Sequence, residues 1–537
     1  MRNTPWFKHR SFQVVLSLLG LVLVFFTFMA AGSFQTSNEH AQGGLDPRIV
    51  KIMNGPAYRH GEWGLLEVDP STGKTINSFG PAERFFEPGS TAKLFSVSAT
   101  LDDLGFNYHI TTPVFALGSK SQQTFNGNLV LVAKGDLTMG GRTKPDGTVD
   151  FTNTDHTYAN NLPGATLTPE NPLAGINQLA QQIHAAGITH LNGDVVIDDR
   201  LFQPDPNFPA IPDPMIINDN LIDVVLTPGH IGSAPASVTW RPQVAPYHLI
   251  DQVTTVAAGQ QNTVAVQTFA DGRILVTGNL PADAGQIVRV GAIVDPSSFA
   301  RTALIEALQR VGVSVSAPPT GPDPTEKLPS NGSYSGDPQV ADYVSPPFSE
   351  YAKLILKTSH DMGANLNVCL MAVKAGSTDC DNGFPVIAAF LDRVHVDRDQ
   401  IALADGQGGN PVDRLTPQVV TELLRYWLGQ PEAMTFRLML PIMGIDGSMA
   451  SFCTNCPAKG KVFAKTGTVG LSDLLNQRST LAWALAGYIQ VKPGRYDVYD
   501  LVVNGSVAQD FPAVFAVAND AANISAILQE QAAQEQN

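Results

Sequence analysis

Charged residues are scarce in this chain of 537 residues, and basic residues are the scarcer kind. Only 15% of the residues are charged, and 34 Lys and Arg stand against 49 Asp and Glu, which gives a net charge of −15. A protein that wraps the phosphate backbone of a nucleic acid needs a basic surface, so this balance argues against nucleic acid as a partner. Because 43% of the residues are apolar, the chain can bury a large core, divided over two or three domains.

The N-terminus carries an apolar run of the kind found in export signals. Three Lys or Arg residues within the first ten positions precede the run, which covers residues 14–31. Small residues at 30–33 offer a site for signal-peptidase cleavage, yet the run is also long enough to stay in the bilayer as a membrane anchor. We therefore predict an exported protein of the periplasm or cell envelope, with residues 1–33 as export signal or anchor and residues 34–55 as a linker.

Cysteine is rare as well, and histidine does not cluster. The four cysteines all fall in the last third of the chain, at Cys369, Cys380, Cys453 and Cys456. An even number in an exported chain favours disulfides, and we predict the local pairs Cys369–Cys380 and Cys453–Cys456, although four cysteines allow three connectivities. A zinc site at the Cys-x-x-Cys is the alternative, but the wider spacing of the other pair and the scattered histidines speak against it. We expect no metal.

The chain after the linker alternates between helical and β-rich stretches. Residues 64–79 are typical of a hairpin, and apolar spacing predicts a helix from about Ser90. Short β-branched runs separated by turn residues fill residues 106–310, and the proline density between Pro318 and Pro347 indicates a linker. Helical patterns begin at Phe348, and strand-like alternation returns from residue 461 before a final helix from about residue 511.

This order indicates a domain interrupted by an insertion. If the late strands join the early hairpin, one α/β domain is assembled from residues 56–105 and 345–537. The inserted, mainly β domain then covers residues 106–340, with the proline-rich linker at its end.

Ser90 and Lys93 form a Ser-x-x-Lys on the first turn of the predicted helix. Residues three apart share one helix face, so the Lys93 amine can reach the Ser90 hydroxyl. The backbone N–H of Ser90 lacks an intrahelical partner there and can donate to an oxyanion. A second match, Ser71 and Lys74, lies in the hairpin turn, where no helix face aligns the two. Taken alone, Ser90 is explained as well by an N-cap serine.

Two further motifs follow in the C-terminal part. One is the Lys-Thr-Gly-Thr of Lys465, Thr466, Gly467 and Thr468. On an edge strand, its Lys and Thr can hold a carboxylate and its Gly lets a peptide approach as an added strand. If the chain had no Ser-x-x-Lys, an ordinary solvated lysine before a turn would explain the motif better. The other motif, Ser359-His360-Asp361, follows a helix at the place of a Ser-x-Asn.

The three motifs, in this order, resemble those of the penicillin-binding serine enzymes. The resemblance is to the low-molecular-mass D-alanyl-D-alanine carboxypeptidase/endopeptidase family with a large insertion after the nucleophile helix. The 266 residues between Lys93 and Ser359 fit that subgroup and not the short gap of β-lactamases. Segments such as EPGSTAKLFSVSATL, ADGQGGN and LPIMGIDGSM are similar to the family's over about residues 60–520.

The resemblance implies the fold, the partners and the roles of the motif residues. It implies an α/β transpeptidase domain, an antiparallel sheet flanked by helices, that acts without a cofactor on peptidoglycan stem peptides and is inhibited by β-lactams. Ser90 would attack the terminal D-Ala carbonyl, neutral Lys93 would accept its proton, and Ser359 would relay that proton to the leaving amine. Residues 465–468 would bind the substrate, the first two holding its carboxylate and the last joining Ser90 in an oxyanion hole.

The chain departs from the family at Asp361, where an asparagine is expected beside the substrate. An ionised Asp only accepts hydrogen bonds, and a carboxylate beside Lys93 favours the ammonium form, which is a poorer base. Gln407 also stands where a serine is expected. The rival functions are a catalytically weak peptidoglycan-binding or scaffolding protein and, less well supported by the long insertion, a β-lactamase or esterase. Tyr158 and Asn160 of the insertion are best explained by loop chemistry.

Overall fold

The computed structural model describes residues 44–203, 213–330 and 332–534. The predicted export segment, with the apolar run at 14–31, lies outside these residues. Within the described ranges, no helix combines the length and the apolar character needed to cross a bilayer.

Helices and strands alternate along the described chain. The helices are α1 (Pro47–Met53), α2 (Lys93–Leu104), α3 (Ala174–Ala185), α4 (Pro296–Arg310), α5 (Phe348–Thr358), α6 (Asp361–Lys374), α7 (Phe384–Arg393), α8 (Pro417–Leu428), α9 (Ala433–Met439) and α10 (Phe511–Gln534). The strands are β1 (Glu62–Val68), β2 (Thr75–Phe79), β3 (Thr111–Ser121), β4 (Thr124–Val132), β5 (His190–Asn192), β6 (Val195–Asp198), β7 (Leu221–Thr227), β8 (Ser237–Arg241), β9 (His248–Val256), β10 (Ala265–Thr268), β11 (Arg273–Pro281), β12 (Ile287–Ala292), β13 (Ser314–Val315), β14 (Gln339–Val344), β15 (Ile401–Ala402), β16 (Arg414–Leu415), β17 (Val462–Asp473), β18 (Arg478–Lys492) and β19 (Arg495–Ala508).

A five-stranded antiparallel sheet joins the two ends of the described chain. Its order is β17-β18-β19-β1-β2, with β17 at one edge. Neighbouring residues of β1 point to opposite faces, as a strand requires. Leu65 packs with α1 and α10, whereas Leu66 packs with α2, α5 and α8. This sheet flanked by helices confirms the predicted α/β class.

The β-rich stretch between the two halves forms several small sheets. The largest places β13, β5, β4, β3 and β14 in that order, with β6 also pairing with β4. α3 and α4 cover a core shared with the smaller sheets of β7 to β12. The proline-rich stretch is mostly irregular, but it contains β14, which pairs with β3 at the edge of its sheet. An edge position suits a strand with prolines nearby, because one side needs no ladder donors.

The inserted region packs directly on the helices of the α/β part. Leu137, Val149 and Phe202 belong to the same buried cluster as α2, α5 and α6. The structure also differs from the expected linker over residues 34–55, because α1 lies in its second half and buries Ile49 against the C-terminal helix.

The cysteines pair locally. Disulfides join Cys369 to Cys380 and Cys453 to Cys456, so the Cys-x-x-Cys forms a disulfide and not a zinc site. In the ranges that the structure describes, no group of His, Cys, Asp and Glu side chains is arranged to hold a metal ion.

Candidate active site

Ser90 and Lys93 meet at the start of α2. Ser90 lies in a 3₁₀ turn, Gly89–Ala92, that leads into the helix, and Pro88 occupies the cap position of that turn, so Ser90 is not the N-cap. The fully buried Nζ of Lys93 lies 2.6 Å from Ser90 Oγ. Its other partners are Asp361 Oδ1 at 2.6 Å and the Gln407 carbonyl at 3.0 Å. A neutral amine has two N–H donors and one lone pair, so it can donate to these two oxygens and accept from the Ser90 hydroxyl.

The second Ser-x-x-Lys has no comparable geometry. Ser71 Oγ donates to Asp69 Oδ1 at 2.5 Å within the hairpin turn. The hydroxyl of Ser71 therefore stabilises a turn, and its hydrogen-bond partner is a carboxylate and not the amine of Lys74.

The nucleophile turn and the edge strand β17 touch through their backbones. Gly89 has φ +51°, and a Cβ there would lie 2.5 Å from the backbone nitrogen of Thr468. A Cβ on Gly467 would lie 2.1 Å from the Pro88 carbonyl oxygen. Both glycines are needed for this approach, which packs the backbone of the nucleophile turn directly against that of β17 at Gly467 and Thr468.

Ser359 sits in a tight turn between α5 and α6. It caps α5 in the left-handed region, with φ +62°, and its Oγ accepts a hydrogen bond from Lys465 Nζ at 2.8 Å. Lys465 also donates to the Thr466 carbonyl at 2.7 Å, and Thr466 Oγ1 lies 2.8 Å from Ser448 Oγ. The structure therefore brings the predicted residues of all three motifs together.

The charges in the site act on one another. Burial lowers the pKa of Lys465 well below its usual value; the charge of Lys93 lowers it further, while Asp361 acts the other way. Burial alone would raise the pKa of Asp361, but the charge and hydrogen bond of Lys93 outweigh burial and lower it. The side chain of Asp361 keeps 47% of its surface open to the cleft, although protein encloses its other sides. Asp361 is thus ionised, and burial makes the ammonium form of Lys465 less favourable than in water, which a negatively charged group beside it would offset.

The loop that carries Gln407 supports Lys93. Asp405 accepts hydrogen bonds from the backbone N–H groups of residues 407–409, which aims the Gln407 carbonyl at Lys93. The Gln407 side chain accepts from Asn365 Nδ2 at 3.1 Å. Gln407 therefore contributes a backbone oxygen to the site, a contact that its residue type does not reveal.

Two residues of the inserted region also reach the site, and the sequence did not predict them. The hydroxyl of Tyr158 donates to the Ser359 carbonyl, and burial together with the nearby carboxylate of Asp361 raises the pKa of Tyr158 well above its usual value. Asn153 Oδ1 accepts from the backbone N–H of Gly447 at 2.9 Å. Asn160, by contrast, bonds only within the inserted region, to the backbone of Val290. The Tyr-x-Asn spacing was the sole local signal, and only its first residue lies at the site.

The site consists of a serine and a buried lysine one turn apart and a second serine–lysine pair at the edge of an antiparallel sheet. This arrangement defines a serine acyl-transfer enzyme of the penicillin-binding fold. The comparisons agree. The chain belongs to the D-Ala-D-Ala carboxypeptidase 3 (S13) family, whose sequence model matches residues 46–524. It is therefore a hydrolase of the D-alanyl-D-alanine carboxypeptidase class, and the predicted family and enzyme class are confirmed.

Individual relatives match most of the chain. The D-alanyl-D-alanine carboxypeptidase of Actinomadura sp. (strain R39) is 26% identical over 483 residues, which cover 85% of this chain and 80% of that protein. The penicillin-sensitive carboxypeptidase A of Dictyostelium discoideum is 23% identical over 493 residues, 86% and 89% of the two chains. The crystal structure of penicillin binding protein 4 from Haemophilus influenzae shares the fold, with a TM-score of 0.65 at 17% identity over 90% of this chain and 99% of that one.

Proposed function

We propose that this protein hydrolyses D-alanyl-D-alanine peptides of peptidoglycan through an acyl-enzyme on Ser90. The observation that carries the proposal is the 2.6 Å contact between Lys93 Nζ and Ser90 Oγ. Lys93 is enclosed by protein and has acceptors for two N–H bonds, so its lone pair is free to take the proton of Ser90.

Acylation begins when Ser90 Oγ attacks the carbonyl carbon of the penultimate D-Ala and passes its proton to Lys93. The attacked carbonyl is not that of the terminal D-Ala, as expected from the sequence, because the bond that breaks joins the penultimate carbonyl to the terminal amine. The backbone N–H groups of Ser90 and Thr468 stabilise the oxyanion that forms. The C–N bond then breaks, and the leaving amine takes a proton by way of Ser359, which bonds to Lys465. Water later adds to the ester carbonyl and releases Ser90.

Substrate binding falls to β17 and the residues beside it. Lys465 and Thr466 hold the carboxylate next to the scissile bond, and Gly467 leaves room for the peptide to lie along the edge strand. Asp361 faces the same cleft and can accept from a substrate N–H. Penicillins present a similar carboxylate and carbonyl, and one relative is by name penicillin-sensitive, so β-lactams should acylate the same serine.

The N-terminal segment indicates where in the cell this reaction takes place. The basic residues and the apolar run at 14–31 favour export to the periplasm or cell envelope, where peptidoglycan lies, with the run either cleaved or kept as an anchor.

Labelled penicillin followed by muropeptides tests the proposal. We expect the wild-type chain to take up label and to release D-Ala, and Ser90→Ala to take up none while it keeps the wild-type melting temperature. Ser71→Ala is the matched control and should label normally, because Ser71 bonds to Asp69 in a turn. Equal labelling of the Ser90 variant would refute the assignment of the nucleophile. Uptake of label without turnover of muropeptides would instead support the peptidoglycan-binding alternative, which the Lys93–Asp361 ion pair favours.

A further inference from the structure

The turn that carries Ser359 and Asp361 has an unfavourable backbone and is held by the inserted region. A residue with a Cβ seldom adopts a φ of +62°, as Ser359 does, unless surrounding contacts enforce it. Tyr158 donates to the Ser359 carbonyl from one side. From the other side, His360 reaches into a buried group of charges on the inserted region.

His360 links the turn to Asp219. Its Nδ1 accepts from the backbone N–H of Gly363 at 3.0 Å and so caps α6. Because Nδ1 accepts, the ring proton lies on Nε2, which donates to Asp219 Oδ1 at 2.9 Å. His360 is fully buried and Asp219 is 2% exposed. This bond joins residues 141 apart in the sequence, one on each side of the boundary between the inserted region and the α/β part.

Asp219 is itself held rigidly. Its Oδ2 accepts from Arg142 Nη2 and from His156 Nε2, both at 2.7 Å. His156 also contacts Asp223 at 2.5 Å, and although burial opposes its charged form, the surrounding carboxylates raise the pKa of His156 to about 10. Asp219 and both of its neighbours in the chain have left-handed φ angles between 53° and 56°, a conformation seldom repeated in succession. The backbone is therefore strained at the residue whose carboxylate bonds to His360.

The group as a whole balances its charges. It consists of Arg142, His156 and Arg241 against Asp155, Asp219 and Asp223. The cavity among them has a volume of about 10 Å³, which is room for a single water and not for a ligand. The group therefore offers no binding site, and its contact with the active site runs through His360.

We propose that Asp219 is a positioning residue for catalysis: it acts through His360 to hold Ser359 and Asp361 against Lys465 and Lys93. The inference rests on the proposed roles of Ser359 and Asp361. A displacement of about 1 Å at a reacting group can cost on the order of a hundredfold in rate, so loss of this anchor should slow acylation while substrate binding through β17 persists.

Three variants test the proposal. Asp219→Asn removes the charge at constant volume. His360→Asn leaves the charged group complete and keeps an acceptor for the Gly363 N–H, since Asn is a good N-cap, but it is too short to reach Asp219. Asp194→Asn is the matched control, because Asp194 is a buried carboxylate of the inserted region, paired with Arg301 at 2.6 Å, that has no contact with the turn.

The measurements are labelling by penicillin, kcat and KM on a D-alanyl-D-alanine peptide, and the melting temperature. We expect Asp219→Asn and His360→Asn each to lower kcat and the acylation rate on the order of 10- to 100-fold, with KM changed less than about threefold. The double variant should be no slower than the slower single one, because both changes break one link. Asp194→Asn should acylate at nearly the wild-type rate even where its melting temperature falls.

The outcomes separate the proposals. Additive losses in the double variant, or a His360→Asn variant with wild-type kcat, would overturn the positioning role while the acyl-enzyme mechanism stands. An unlabelled wild-type chain would overturn both. If Asp219→Asn does not fold, His360→Asn alone decides, because it leaves every charge of the buried group in place.

Discussion

Replacing Asp361 by asparagine should speed acylation at neutral pH. Asp361 Oδ1 lies 2.6 Å from Lys93 Nζ, and the lowered pKa of Asp361 keeps it ionised. Lys93 must be neutral to accept the proton of Ser90, and the carboxylate beside it stabilises the ammonium form instead. The asparagine keeps the side-chain volume and removes this charge.

The magnitude follows from the distance. At 2.6 Å two unit charges attract each other by about 1.6 kcal/mol at the dielectric constant of water and by about 6 kcal/mol at an effective value of about 20. Because Lys93 is fully buried whereas 47% of the Asp361 side chain is exposed, solvent screens the pair only in part, and its energy lies between these two figures. Even the lower figure corresponds to about a tenfold change in rate, since each step of about 1.4 kcal/mol is a factor of about ten.

The assay is the acylation rate with a chromogenic β-lactam across about pH 6 to 10, a range that covers the rising limb. Asp361→Asn should be faster at about pH 7 and reach its plateau at lower pH. Asp103→Asn is the matched control, since it removes the carboxylate partner of Lys374 on the surface, at 3.0 Å, and should leave the profile unchanged. An asparagine variant that is slower at every pH would refute the reasoning and show that Asp361 serves this protein's own substrate.

Three other changes have expected outcomes. Tyr158→Phe should lower the acylation rate about fivefold, the worth of about 1 kcal/mol for one hydrogen bond to the Ser359 carbonyl, with little change in melting temperature; an unchanged rate would remove Tyr158 from the site. The raised pKa of His156 stabilises the fold fully below its ordinary value of 6.5, and this contribution is lost as pH rises through about 10. The free energy of unfolding of the wild type should therefore fall by on the order of 1 kcal/mol or more between these pH values, and that of His156→Asn should fall by less. Cys380→Ser, which opens the disulfide to Cys369 with its sequence separation of 11, should lower the free energy of unfolding by about 3 kcal/mol in urea titrations, and an unchanged value would mean that the bond contributes little.

The elements with strong local patterns could be predicted from the sequence. The hairpin of β1 and β2, the helix α2 and the long strands β17 to β19 follow from apolar spacing and turn residues, because these signals act between neighbours in the chain. Helix α1 could not, since its seven residues form a short helix that is stabilised mainly by packing on α10. The packing of the inserted region on the α/β part could not be predicted either, because its residues complete that core only in the folded chain.

The candidate site divides in the same way. Ser90 and Lys93 are recognisable because a helix puts residues three apart on one face, and the resemblance of the ordered motifs named Ser359, Asp361 and Lys465. The one local signal at Tyr158 was its Tyr-x-Asn spacing, which does not distinguish a site residue from an ordinary loop residue. Its partner Ser359 is 201 residues away.

The sequence by itself thus determined which residues can carry acyl transfer and which family has the same motifs in the same order. Only the tertiary structure decided what surrounds them: an ion pair between Lys93 and Asp361, a backbone oxygen from Gln407, and an anchor from Asp219 to His360. Such contacts depend on how separate elements pack, and packing is a property of the whole chain. A helix or turn needs only its neighbours, whereas a buried carboxylate finds its partner only after both chain segments have folded against each other.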